Sequence, residues 1–272
     1  MIQTKLYPDH ITHHQIEITL NPGSNSLAAT DKIILDLPYP NPEKITLFLN
    51  KNLRLKSVKF KEKQLPFTIK EKFDPDTLVE KSDKRLKQKY NNTRLIQIDI
   101  QNLPPAETMT MEISYEGVIY DTLKTPSFSR EYVAHQTTGL ISEDGIYLSP
   151  DSHWYPDSPE SMSSFKLTTW SPPEYEVVTQ GRRIERAVID DRLKTVWEAD
   201  YPSDGLHLIS GKYEITHIQY KGINLYTYFF PEESTLVSTY LEAAKRYMDM
   251  YGEMLGEYPY SKFAIVENFF PT

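Results

Sequence analysis

Six residues, Gln15-Ile16-Glu17-Ile18-Thr19-Leu20, alternate polar and apolar side chains without a break and run into the turn sequence Asn21-Pro22-Gly23. Successive side chains of a strand point to opposite faces, so such a segment buries one face and leaves the other to water. Comparable runs recur at residues 32–37, 45–49, 53–60, 95–100, 109–115, 165–170, 175–179, 193–198, 206–210 and 213–218, mostly separated by Pro, Gly, Asn or Asp. Many short strands with no helices between them predict an antiparallel β-sandwich or saddle for the first 220 or so residues. Composition agrees, because 19 Tyr and an excess of Pro (19) over Gly (10) suit half-buried pleated surfaces joined by short connections.

The length of 272 residues allows one large domain or two smaller ones. With 30 basic against 38 acidic residues and a formal net charge of -8, the chain lacks the basic footprint of a general nucleic-acid binder. The absence of Cys excludes disulfides, thiolate metal sites, Fe–S clusters and cysteine nucleophiles. No apolar run reaches the roughly 18–20 residues of a membrane span, and Met1-Ile2-Gln3-Thr4-Lys5 opens no signal-peptide pattern, so the polypeptide reads as soluble as written. Its compartment is not legible. The stretch from about 70 to 94 alternates charge sign too densely to enter a core and reads as a solvated excursion.

After Gly222 the periodicity changes. Residues 223–230 give one more strand, and Pro231-Glu232-Glu233-Ser234 opens a long helix. Leu236, Val237, Tyr240, Leu241, Ala244, Tyr247, Met248, Tyr251, Met254 and Leu255 share one broad face at i, i+3, i+4, i+7 spacing, with Gly256 and Pro259 marking the end. Residues 262–266 then read as a strand. A broad apolar helix stripe and an isolated last strand need partners that a finished sandwich does not supply, so residues 221–272 read as the beginning of a second, truncated domain. A helix and strand that merely cap the sandwich are the alternative.

Chemistry-bearing patterns are few. Zinc hydrolases commonly carry two His one helical turn apart with an adjacent Glu, and no H-E-x-x-H occurs. Of seven His only His10, His13 and His14 cluster; strand alternation puts His10 and His14 on one face and His13 opposite, and they read as partly exposed strand residues rather than metal ligands. Asp151, His153, Asp157 and Glu160 form a denser knot around Trp154-Tyr155-Pro156, which suits acid–base work or, more simply, turn capping in a Pro-rich loop. Neither a G-x-S-x-G elbow nor a Gly-rich phosphate loop is present. Trp154, Trp170 and Trp197 suit either a carbohydrate-binding face or a core, and aromatics at alternate strand positions favour the core.

One stretch carries a resemblance. Gly145-Ile146-Tyr147-Leu148-Ser149, then Trp154-Tyr155-Pro156-Asp157, Phe165-Lys166-Leu167-Thr168 and Val178-Thr179-Gln180-Gly181-Arg182, followed by Tyr226-Thr227-Tyr228-Phe229, the helix with Tyr240-Leu241-Glu242-Ala243-Ala244, and Tyr258-Pro259-Tyr260-Ser261-Lys262-Phe263, resemble the membrane-alanyl-aminopeptidase family of gluzincin zinc aminopeptidases. The resemblance is strong from about residue 140 onward and rests on strand pattern alone before it. It implies an N-terminal antiparallel β saddle over residues 1–220 and, over 221–272, the β-α-β start of a thermolysin-like α+β catalytic domain.

It also implies that the zinc ligands, general base and G-x-M-E-N substrate loop lie downstream of Thr272; Glu267-Asn268, with no Gly or Met before it, is not that loop. Zinc and the peptide substrate would thus belong to the intact parent, and the chain alone would be catalytically silent, with no metal site of its own. The family's saddle contributes a Gln or Glu to the site for the substrate amino terminus; strict counting falls near Gly145, which leaves Glu143 and Asp144 as substitutes through a shifted loop. The segment Asp151-Ser152-His153-Trp154-Tyr155-Pro156-Asp157, against the family's R-x-x-F-P-C-x-D-E-P, marks a divergent branch. The expected packing partner is the remainder of the catalytic domain, or a second copy meeting the exposed helix. The competing reading is a non-catalytic β-sandwich that binds carbohydrate or protein, and a third is a parent that kept the fold but lost its zinc ligands.

Overall fold

The computed structural model describes residues 10–73, 90, 92–121, 137–158 and 161–270. It is mainly β. The alternating segment at 15–20 lies inside β1 (His10–Asn21), which a short 3-10 turn at Pro22–Ser24 joins to β2 (Ser26–Asp36) as a long antiparallel hairpin. Their inward residues, Ile16, Ile18, Leu20, Leu27, Ile33 and Leu35, are at most 1% exposed. Burying one such side chain contributes about 1.5–3 kcal/mol, which fixes the register because a one-residue slip would turn the whole set to solvent.

Four sheets assemble around this hairpin. The largest runs β13 (Arg182–Ile189), β14 (Arg192–Ser203), β11 (Ser163–Ser171), β1, β2, β8 (Thr108–Val118), β4 (Leu53–Phe60) and β5 (Lys63–Gln64). A second contains β3 (Lys44–Asn50), β7 (Thr93–Asp99) and β6 (Phe67–Lys70). The third is ordered β12 (Glu176–Thr179), β15 (Leu208–Gly211), β10 (Ile146–Leu148) and β9 (Gly139–Ile141). The fourth joins β16 (Glu214–Tyr220), β17 (Ile223–Phe229) and β18 (Lys262–Val266). Side chains from β1, β2, β3, β7, β8, β10 and β12 share one hydrophobic cluster with Trp154 and Tyr155, so the smaller sheets close over the large one.

Pairing is antiparallel throughout the described ladders except at two places. β1 and β11 run parallel, with Ile16 opposite Leu167, and so do β17 and β18, with Leu225 opposite Phe263. The second parallel pair is joined through the 3-10 turn Pro231–Leu236 and helix α1 (Val237–Leu255), which makes a β-α-β unit. The apolar stripe of α1 divides in two. Leu241 and Ala244 are buried and pack with Val237 and Met248 over Leu225, Phe263 and Ile265. Tyr240, Tyr247, Tyr251, Met254 and Leu255 are 45–80% exposed. No helix among the described residues is long and apolar enough to cross a membrane.

The charged excursion falls largely on residues 74–89 and 91, outside the described residues. Its flanks are anchored where Phe73 and Tyr90 pack on Phe48. A single glycine governs the turn into β13: Gly181 has φ +78°, and a Cβ there would lie 1.9 Å from the Glu198 carbonyl oxygen, so the chain passes close only because no side chain intervenes.

Candidate functional site

Glu143 and Asp144 occupy the turn between β9 and β10. Ser142 N–H donates to the Gly145 carbonyl at 2.9 Å and Gly145 N–H to the Ser142 carbonyl at 3.2 Å, which closes a four-residue turn with both carboxylates exposed at its tip. The turn is tied down from both flanks. Tyr175 Oη donates to the Glu143 carbonyl at 2.6 Å, and Asn25 Nδ2 to the Ile141 carbonyl at 2.6 Å.

What lies against that turn is the end of the described chain. A Cβ on Gly145 would sit 2.4 Å from the Phe269 ring, so the ring packs there only because residue 145 has no side chain. Phe269 meets Phe270 edge-on at 4.9 Å, Phe270 meets Tyr147 edge-on at 5.5 Å, and Tyr147 faces His207 at 6.5 Å. Burial lowers the His207 pKa, with Asp151 and Asp204 opposing, while burial and then the Asp151 charge raise the Tyr147 hydroxyl. The strict-count position is therefore filled by a neighbour's ring; Glu143 and Asp144 precede it in the turn, and Glu143 Oε1 lies 3.5 Å from where a Cβ on Gly23 would sit. Segment 267–270 is itself clamped, since Tyr213 Oη donates to the Glu267 carbonyl at 2.8 Å and Phe230 N–H to Glu267 Oε2 at 2.8 Å. Glu267 is thus consumed as a backbone clasp between the ends of β17 and β18. Sequence reasoning missed the Gly145–Phe269 contact, for which no local signal exists.

The His cluster differs from its expected geometry. A β-bulge between Ile11 and His13 inserts one extra residue, so His14 joins Ile11 and Ile16 on the core face while His10 is exposed. His10 and His14 do not share a face. Neither is His14 partly exposed: it is 1% exposed, its Nδ1 lies 2.7 Å from Asp31 Oδ2, and its ring stacks on Phe165 at 5.1 Å. His13 contacts Ser164 Oγ at 2.8 Å.

The knot at 151–157 is used for architecture. His153 sits at φ +48° and is 2% exposed, 3.9 Å from the Asp157 carboxylate, with its ring stacked on Tyr90 at 5.7 Å. Its carbonyl accepts from Asn50 N–H at 2.8 Å, while Asp157 exchanges two backbone hydrogen bonds with Phe48 at 2.7 and 3.0 Å. The segment therefore extends the edge of β3 through its backbone, and Asp157 Oδ1 accepts from Ser158 N–H at 2.7 Å. Glu160 lies outside the described residues. Trp154 and Trp197 are at most 1% exposed and cannot line a carbohydrate face; Trp170 is half-buried and donates to Glu17 at 2.9 Å.

Among the described residues no group of three His, Asp or Glu side chains is placed to hold a metal ion, so zinc does not fit these residues. No family model matches the chain, and no curated protein matches it. Solved structures do. The M1 zinc metallopeptidase of Deinococcus radiodurans superposes with a TM-score of 0.66 at 14% identity, over 96% of this chain and 57% of that one. A mutant of that metallopeptidase bound to a Tyr-Ser-Ala substrate gives 0.64 at 14% identity, over 96% and 56%. A two-domain M1 zinc metallopeptidase mutant bound to L-tryptophan gives 0.64 at 14% identity, over 96% and 57%.

The chain shares its fold with part of the M1 zinc metallopeptidase structures. The chain spans a little over half the length of the M1 structures it matches, and the likeness takes in the β-rich bulk and, at 96% coverage, most of the β17–α1–β18 unit.

Proposed function

We propose that residues 1–220 form the β-saddle domain, and residues 221–272 the opening of the catalytic domain, of a gluzincin aminopeptidase that removes N-terminal residues from peptides. The observation that carries this reading is the likeness to an M1 zinc metallopeptidase over 96% of the chain, which supports reading the β17–α1–β18 unit as the opening of a catalytic domain. The sequence contains no H-E-x-x-H, so the zinc ligands and general base are residues other than 1–272, and the chain alone is inactive. When bound there, zinc supplies the Lewis acid and the activated water of peptide hydrolysis. The remainder of the catalytic domain covers the open half of α1, and without it the chain self-associates through Tyr240, Tyr247, Tyr251 and Met254.

In this reading the present residues bind and orient. Glu143 and Asp144 accept hydrogen bonds from the α-ammonium of the peptide, and Phe269 and Phe270 wall the site beside them. A hydrogen bond to a charged group contributes about 1.5–3 kcal/mol. In the zinc-loaded longer protein, Glu143→Ala and Asp144→Ala together lower kcat/KM for free-amine substrates about 10- to 100-fold, chiefly through KM. Steady-state kinetics on free and N-acetylated peptides check this. An unchanged KM for the free amine in the double variant removes these residues from the site.

A further inference from the structure

Two arginines converge on one carboxylate where β12 and β13 meet the sheet of β16 and β17. A β-bulge in β13 between Arg183 and Glu185 sets Arg183 opposite Trp197 and Arg186 opposite Thr195, so the two guanidiniums leave the strand on one face. Both reach Glu176 on β12. Arg186 holds it as a fork, donating to Oε1 from Nε at 2.9 Å and from Nη2, whereas Arg183 Nη1 stays 3.7 Å from Oε2, beyond hydrogen-bonding distance. The three side chains form one wall of a cleft of about 450 Å³, and Ile215, His217 and Tyr226 from β16 and β17 form the other.

Two buried polar groups here have nothing to bond. Arg183 Nη1 has no hydrogen-bond partner among the described residues, and neither has the hydroxyl of Tyr228. Tyr228 is 0% exposed and stands opposite Ile215 in the β16–β17 ladder, two residues on from Tyr226, so it shares the sheet face that lines the cleft. Its ring meets Tyr213, a further lining residue, edge-on at 6.1 Å. Burial raises its pKa to about 12, against the Arg183 charge and together with Tyr226 and Glu176, which puts the hydroxyl within the field of both the guanidinium and the carboxylate. A buried donor left unpaired costs about 1–3 kcal/mol, so two of them beside one cleft mark a place for an acceptor.

The charges select the acceptor. Arg186 and Glu176 cancel, His217 is engaged with Asn224 Oδ1 at 3.0 Å, and the Arg183 guanidinium is left over. β18 supplies no anion to it: Lys262 donates to the Thr179 carbonyl and brings a second cation to the Trp197 indole, 4.4 Å from the ring centroid against 5.8 Å for Arg183. One surplus guanidinium matches a monoanion, Glu176 disfavours a dianion, and a planar fork of N–H groups fits a carboxylate. We propose that this cleft binds a small monocarboxylate, with the Arg183 guanidinium and the Tyr228 hydroxyl as its donors. The proposal does not rest on the peptidase reading, because it needs neither zinc nor Glu143.

Calorimetric titration at fixed ionic strength tests it, on the longest reading frame that contains the chain. The probes are benzoate for a free acid, N-acetylphenylalanine for the end of a peptide, methyl benzoate and inorganic phosphate. Both carboxylates bind saturably at a single site, the tighter one naming the source, and the ester and phosphate bind about tenfold more weakly or worse. Arg183→Gln weakens carboxylate binding about 10- to 100-fold, and Arg183→Lys restores only part of it, because an ammonium has no fork. Tyr228→Phe weakens binding about 3- to 10-fold yet leaves the urea midpoint of the free protein unchanged or higher, since its hydroxyl has no partner to lose. Absence of saturable carboxylate binding, or an ester that binds as well as the acid, overturns the site. Phosphate binding at least as tightly overturns the monocarboxylate. Unchanged affinity in Tyr228→Phe and in Arg183→Gln places the ligand elsewhere, and the Phe variant decides this even where the Gln variant fails to fold.

Discussion

Asp31→Ala destabilises the protein by about 3–5 kcal/mol, a large part of the 5–15 kcal/mol that holds a domain together. Asp31 is 0% exposed on β2, and its Oδ2 lies 2.7 Å from His14 Nδ1 on β1, with His14 at 1% exposure. Removing the carboxylate strands a polar ring nitrogen among Phe165, Tyr155 and the sheet core. The neighbourhood is already short of partners. Asp31 Oδ1 and Tyr115 Oη are both buried without a hydrogen-bond partner among the described residues, and burial, reinforced by the Asp31 charge, holds the Tyr115 hydroxyl well above its ordinary pKa. An apolar replacement of both members, His14→Leu with Asp31→Val, restores most of the loss, because neither member of the pair is then left without the other. Urea denaturation of the two singles and the double measures the coupling. Additive losses would show that the pair does not act as a unit.

Trp154→Ala costs at least as much. The indole is 0% exposed, and truncating a buried Trp costs about 3–5 kcal/mol through lost transfer and the cavity left behind. A specific clamp is lost with it. Trp154 Nε1 donates to the Leu206 carbonyl at 3.1 Å while Tyr155 Oη accepts from Leu206 N–H at 3.1 Å, so the adjacent aromatics satisfy both backbone groups of one buried residue. Leu206 leads into β15, the centre of the sheet that carries Glu143 and Asp144 on its β9–β10 turn. Chemical denaturation and soluble yield are the readouts. Trp154→Phe, which keeps a ring and loses the hydrogen bond, falls by only about 1–3 kcal/mol. An Ala variant within 1 kcal/mol of the parent would mean that the clamp does not hold this part of the fold.

Where one face of an element is buried and its spacing regular, the sequence announced it. The alternation at 15–20 is the heart of β1, and the i, i+3, i+4 stripe after Pro231 is α1. Three kinds of element escaped. β13 reads Arg-Arg-Ile-Glu-Arg-Ala-Val-Ile, an edge strand whose partly covered positions include Arg183 and Glu185, so no hydrophobic alternation marks it. β9 and β10 are three residues each, too short to show a period, and they form only because β15 gives β10 a second ladder. The bulge near Thr12 is one inserted residue with no signature in side-chain type, yet it sends His10 and His14 to opposite faces. The parallel join of β1 to β11, across 150 residues of chain, is set by tertiary packing rather than by any local pattern.

The candidate site residues have no such periodic signal. Glu143 and Asp144 come from the family resemblance, as neighbours of the strict-count position Gly145, whereas Phe269 against Gly145 and Lys262 against Trp197 and Thr179 are long-range contacts that no spacing encodes. Strand pattern finds the scaffold, and contacts between distant segments are set by the fold.

The central claim, that residues 1–272 are the metal-free side of a zinc aminopeptidase, is tested most directly by one paired measurement. The 272-residue chain and the longest reading frame that contains it are purified, and each is assayed for bound zinc and for release of N-terminal residues from aminoacyl reporter substrates. The account predicts about one zinc and chelator-sensitive release in the longer protein, and neither in the 272-residue chain. A longer protein that is metal-free and inactive, or a reading frame that ends at Thr272, would contradict it.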